Sequence, residues 1–144
     1  EVVGCESLLL RLDSRVQVGL LLTYLPPSCV ATALPQLLEG VAGLAVEFPR
    51  LVVLGDFNLP SLGPSSDAAQ EFMASMTAMD LTQVIQGPTH RAGHTLDLVF
   101  LSGQWSNDFG LRGIVSSPLS WSDHYLLSLD FSALLPLRRE VEPT

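Results

Sequence analysis

The chain has 144 residues, a length that suits one domain or a piece of a larger one. Charged residues are 15% of it, hydrophobic residues 47%, and the formal net charge is −8, with every one of the seven cations an arginine. That balance argues against strong autonomous DNA binding, which needs basic groups on phosphates. With no run of about 18 apolar residues, no membrane span is expected.

The opening shows no basic-then-apolar signal, and the sequence begins at Glu1 as though cut from something longer. Cys5 and Cys29 are too few for a disulfide framework and read as reduced thiols of an intracellular protein. Residues 1–12 and 16–25 are rich in Val and Leu, and Asp13-Ser14-Arg15 between them predicts a β-hairpin ending at Pro26-Pro27. Glu6 and Arg11 read as a solvated edge or a cross-strand charge pair. Leu34, Leu37, Leu38, Val41, Leu44, Ala45 and Phe48 follow helical spacing, with Thr32 as cap, Pro35 in the first turn and Pro49 as terminator.

Leu51-Val52-Val53-Leu54 predicts a short buried strand that Gly55 ends. Asp56 and Asn58 follow, pointing the same way from an extended segment, with Phe57 turned to the core. A loop leaving the carboxyl end of a buried strand is where open α/β sheets bind ligands, although Asp and Asn also favour a plain turn there. After a Pro/Ser/Gly loop at 59–66, Asp67 and Gln70 resemble a capping box. The helix it opens carries Phe72, Met73, Met76 and Met79 as a core stripe. Further strands are expected at 81–85, 95–101 with Asp97 in the middle, 111–117 and 124–131, and residues 136–144 read as a tail. This order favours an α/β sandwich over a helical bundle.

Three polar clusters interrupt the apolar strands: Asp56 with Asn58; the run from Thr89 to Asp97; and Ser122-Asp123-His124. An ionised Asp97 among Leu96, Leu98, Val99 and Phe100 needs a partner, and His124 is the best candidate. His90 and His94 have a zinc-like spacing of four, but Gly93 and Pro88 speak against a helix there and no Glu accompanies them. Ser122-Asp123-His124 is no hydrolase triad, since adjacent residues cannot form the relay.

Gly55-Asp56-Phe57-Asn58 followed by Ser122-Asp123-His124 resembles the endonuclease/exonuclease/phosphatase superfamily. The segment Pro88–Phe100, PTHRAGHTLDLVF, and Tyr24-Leu25-Pro26-Pro27 resemble the endonuclease domains of non-LTR retrotransposons. The resemblance implies part of a four-layer α/β sandwich, two packed sheets flanked by helices, over residues 1–135 with its N-terminal part missing. It implies a Mg²⁺-dependent hydrolase of DNA phosphodiesters. Asp56 would act on the attacking water, and Asn58 would bind the scissile phosphate. His124, oriented by Asp97, would stabilise phosphoryl charge, with Tyr24 on the phosphate, Thr89 supporting substrate binding and Asp123 near the metal. The family's Asn-bearing first strand and metal-binding Glu have no counterpart before Tyr24, and Pro27 stands where abasic-site enzymes have Asn. The implied partners are DNA and a missing N-terminal half or a reverse transcriptase region, and the implied location is intracellular, nuclear if chromosomal DNA is the target. A fragment inactive by itself is therefore expected, with a non-catalytic binding module and a phosphatase of the same superfamily as alternatives.

Overall fold

The computed structural model describes residues 6–12, 17–103 and 111–131, with only the backbone of Leu12. The expected turn at 13–15, Cys5 and the tail from 136 lie outside these residues. The strands are β1 (Glu6–Leu12), β2 (Val18–Tyr24), β3 (Arg50–Asp56), β4 (Leu81–Gln83), β5 (Asp97–Ser102), β6 (Leu111–Ser117) and β7 (Leu126–Phe131). The helices are α1 (Val30–Glu47) and α2 (Asp67–Ala78). Five strands form a sheet in the order β1-β2-β3-β5-β4, and β6 and β7 form a second, two-stranded sheet.

The large sheet is mixed. β1 and β2 are antiparallel, β2 and β3 parallel with α1 as the crossover, and β5 runs antiparallel to both its neighbours. Parallel neighbours cannot be joined by a tight turn, so α1 has to cross the sheet face. It does so by burying Val30, Ala33, Leu34, Leu37 and Val41. By composition the segment Pro27–Glu47 is apolar enough to cross a membrane, with a mean hydropathy of 1.5. Its buried stripe instead packs into the same core as Leu51, Val53 and Phe72.

Side chains alternate across a strand, and the two faces of the sheet take different partners. Leu51, Val53, Phe57, Leu98 and Phe100 face the helices. Phe57, Phe72 and Phe100 form a ring cluster there with centroids 5.6–5.9 Å apart. Val52, Val99 and Leu101 face the other way, where Leu127, Leu129 and Phe131 of the second sheet pack on them. The described residues thus form three layers: helices, large sheet, small sheet. The small sheet covers only part of the large one. Leu8, Leu10 and Leu22 at the β1–β2 end remain 47–54% exposed.

Several local expectations need correction. α1 starts at Val30 behind Cys29, without a side-chain cap, so Pro35 lies inside the helix and not in its first turn. A 3-10 turn at Pro27–Cys29 leads directly into it, and burial of Val30 and Ala33 sets the entry. The cap of α2 is Ser66, whose Oγ accepts from Ala69 N at 3.2 Å; Asp67 is the first helical residue. Gly55 does not end β3 but lies within it, at φ +147°. A Cβ there would come 1.8 Å from the Thr23 carbonyl oxygen, so only glycine lets β2 and β3 approach at this point. Arg11 pairs with Glu47 of α1 at 2.8 Å and lies over the Phe48 ring.

β5 begins at Asp97, not two residues earlier, and β4 and β7 are likewise shorter than expected. The cause at β5 is Thr89. Its hydroxyl accepts from the backbone N–H groups of Leu96 and Asp97, each at 3.0 Å. The chain before Asp97 is therefore held by a loop side chain.

Candidate active site

The site lies where β2, β3 and β5 present their ends to the small-sheet side. Register places Tyr24 beside Asp56, and Asp56 directly opposite Asp97. Two carboxylates thus meet across neighbouring strands on one face. Backbone bonds on both sides fix Asp56: Leu25 N donates to its carbonyl, and Phe57 N donates to Leu96 O, both at 2.9 Å.

His124 comes to this pair from the loop before β7. Its Nδ1 lies 2.8 Å from Asp97 Oδ2 and its Nε2 lies 3.5 Å from Asp56 Oδ2. The partnership of Asp97 with His124 expected from the sequence is present. Burial pulls the His124 pKa down, but the Asp97 hydrogen bond and charge, then Asp56 and Asp123, outweigh it and leave it above 6.5. Asp56 is also raised, first by burial and then by the Asp97 charge, against smaller opposing effects of His124, the Asn58 N–H and His90. The Asp97 and Asp56 neighbours thus favour the charged form of the His124 ring.

The remaining residues divide into those near the cluster and those that support it. Asn58 is buried and left-handed (φ 46°); its Nδ2 donates to Leu25 O at 2.6 Å and its N–H to Asp56 Oδ1 at 3.2 Å. Its carboxamide therefore ties the end of β2 to the loop after β3. Tyr24 is 42% exposed and borders a cavity of about 500 Å³ together with Leu8, Leu22, Asp56 and Asp97. Thr89 is fully buried, and its hydroxyl faces the backbone of Asp97. That geometry suits support of the site and leaves no surface for a substrate. The Asp123 carboxylate lies 3.4 Å from Arg91 Nη1, at the side of the cluster.

Sequence reasoning passed over how the Thr89–Arg91 segment holds the His124 loop. Arg91 N donates to Asp123 O at 2.7 Å, Tyr125 N donates to Thr89 O at 2.8 Å, and His90 and His124 form an isolated β-bridge. Their rings meet edge to face, 5.2 Å apart. Arg91 Nη2 donates to the carbonyls of Ser122 (3.1 Å) and Leu119 (3.4 Å). The only available signal was one arginine in a segment of small and polar residues. Because Gly93 turns the chain at φ 88° and His94 O accepts from both Thr89 N and His90 N, this stretch is a loop. The two histidines therefore never share a helix face.

A cation fits this donor set in part. Ligand atoms of Asp56, Asp97 and His124 lie within 4.8 Å of one another. Carboxylate oxygens suit a hard divalent ion such as Mg²⁺, whereas imidazole suits softer metals better. Asp56 and Asp97 are the two that would hold one.

Residues 19–128 match the family model described as endonuclease-reverse transcriptase. The chain belongs to this family, within the endonuclease/exonuclease/phosphatase superfamily. Among curated proteins, none matches it by sequence. Among solved structures it is similar to the endonuclease domain of TRAS1, a telomere-specific non-LTR retrotransposon, with TM-score 0.70 and 16% identity over 88% of this chain and 63% of that one. It is also similar to the human Nocturnin catalytic domain (TM-score 0.62, 21% identity, 89% and 52% covered). A third is the 3′ phosphatase NExo from Neisseria bound to a product DNA hairpin (TM-score 0.64, 15% identity, 90% and 80% covered). At such identities the likeness is one of fold. The chain spans less than two thirds of the TRAS1 domain.

Proposed function

We propose that this chain is the C-terminal part of a retrotransposon-type, Mg²⁺-dependent DNA endonuclease domain and that Asp56, Asp97 and His124 are its reacting centre. The observation that carries the reading is His124 held at 2.8 Å by Asp97 and facing Asp56 at 3.5 Å. Hydrolysis of a phosphodiester needs an oriented water and stabilisation of developing negative charge. Asp56 is the base or orienter of that water. His124, its ring fixed by Asp97 and its charged form favoured, donates a hydrogen bond to a phosphoryl oxygen. Tyr24 lies beside Asp56 to contact the phosphate, and Asn58 ties together the ends of the two strands that carry them. Bound at Asp56 and Asp97, Mg²⁺ would neutralise charge on the phosphate.

The exposed Leu8, Leu10 and Leu22 lie on the face that the small sheet leaves open, as expected if further strands of a four-layer sandwich cover it in a longer polypeptide. Such strands would bring the family's metal-binding Glu, and the chain alone would be nearly inactive. Action on chromosomal DNA would make the protein nuclear. The likeness to a 3′ phosphatase supports a second reading, removal of a terminal phosphate at the same centre.

Plasmid nicking with Mg²⁺ tests the proposal. Slow nicking by this chain, abolished by Asp56→Ala and by His124→Ala, is expected. Equal rates for all three proteins refute the catalytic assignment. Release of phosphate from a 3′-phosphorylated hairpin without nicking selects the phosphatase.

A further inference from the structure

Trp121 directly precedes Ser122-Asp123-His124 and is 81% exposed. An indole is the largest apolar side chain, and leaving it in water forfeits burial that the neighbouring core would supply. Its backbone, by contrast, is firmly held. Arg91 Nη2 donates to the carbonyls of Leu119 and Ser122 on either side of it. His124 N donates to Ser122 Oγ at 3.1 Å, and Arg91 N donates to Asp123 O. The exposed indole thus sits three residues before His124 on a loop whose backbone is held by hydrogen bonds.

We infer that Trp121 is a stacking platform for an unpaired base next to the scissile phosphate, so that the site takes single-stranded or locally unpaired DNA in preference to intact duplex. This rests on the endonuclease reading and names its substrate class. Charge supports the assignment: with −8 overall and three carboxylates at the site, attraction for phosphates is weak, and affinity has to come from a contact that salt does not screen. Stacking on an aromatic side chain is such a contact, and it accepts any base because every base has a π face. In a duplex the base faces are already stacked. Only an unpaired or extruded nucleotide offers one to the indole.

The test is fluorescence anisotropy with a labelled oligothymidine strand and a blunt duplex of equal length, in EDTA so that no cleavage intervenes. Wild type is expected to bind the strand more tightly than the duplex. Trp121→Ala is expected to weaken strand binding about five- to hundredfold with an unchanged salt dependence, and Trp121→Phe to retain most of it. Because the indole is exposed, both variants should melt with the wild type, which separates binding from folding. Strand binding unaffected by Trp121→Ala, equal loss for strand and duplex, or no strand preference in the wild type each overturn the inference. The nicking assay reads the other proposal separately. Trp121-dependent strand binding with nicking that Asp56→Ala and His124→Ala leave unchanged overturns catalysis, and nicking without such binding overturns the platform.

Discussion

Replacing Thr89 by Val removes one hydroxyl oxygen and keeps the β-branched shape. That oxygen accepts from Leu96 N and Asp97 N, and the side chain is fully buried. Valine cannot accept either bond, so two partly buried donors lose their partner. Each such loss costs about 1–2 kcal/mol, giving about 2–4 kcal/mol in all. Thr89→Ser keeps the acceptor and removes only a methyl, a cost of about 1 kcal/mol. Urea unfolding followed by circular dichroism measures both variants, and amide hydrogen exchange at Leu96 and Asp97 locates the damage. Faster exchange at those two amides in Thr89→Val, with the His124–Asp97 bond weakened in consequence, is the expected pattern. A Thr89→Val protein as stable as Thr89→Ser would refute the claim that this hydroxyl sets the start of β5.

Three other outcomes follow from the same geometry. Burial and the Asp97 charge raise the Asp56 pKa above 3.8, so ionising Asp56 at neutral pH works against folding, and Asp56→Asn should raise the urea midpoint at pH 7 while removing nicking; a lowered midpoint contradicts the assignment. His124 has the opposite effect: its raised pKa contributes stability that is fully present below about pH 6.5 and is lost as pH rises through the folded value, and stability–pH curves should show this fall in the wild type and lose most of it in Asp97→Asn. Phe57→Ala should cost about 3–5 kcal/mol in the same unfolding assay, since it opens a cavity between the Phe72 and Phe100 rings; a cost under about 1 kcal/mol would mean the ring cluster is not packed as described.

Much of this was legible in the chain itself. The unbroken aliphatic runs beside Asp56 and Asp97 put both carboxylates on polar interruptions of buried strands, and desolvation cost demanded a partner for Asp97. A histidine bordering the last strand was the chemically suitable one, and His124 occupies that role at 2.8 Å. Phe57 turned inward because side chains alternate, whatever the fold. The family motifs were legible for the same reason: they are local runs of residues whose chemistry is read without knowing where they sit. Boundaries were less legible. The start of β5 depended on a hydroxyl eight residues away in sequence from Asp97, and the entry into α1 on which side chains found burial.

By itself, then, the sequence determined which segments are buried, which residues carry charge among them, and which chemistry those residues suit. Only tertiary structure decided that β3 and β5 pair with Asp56 opposite Asp97, because register depends on both strands at once. Only it placed Arg91 across the loop that carries Trp121 and His124, and left Leu8, Leu10 and Leu22 at one end of the large sheet half-exposed among the described residues. Hydrogen bonds between loops distant in the chain leave no periodic trace in either segment, so nothing local announces them.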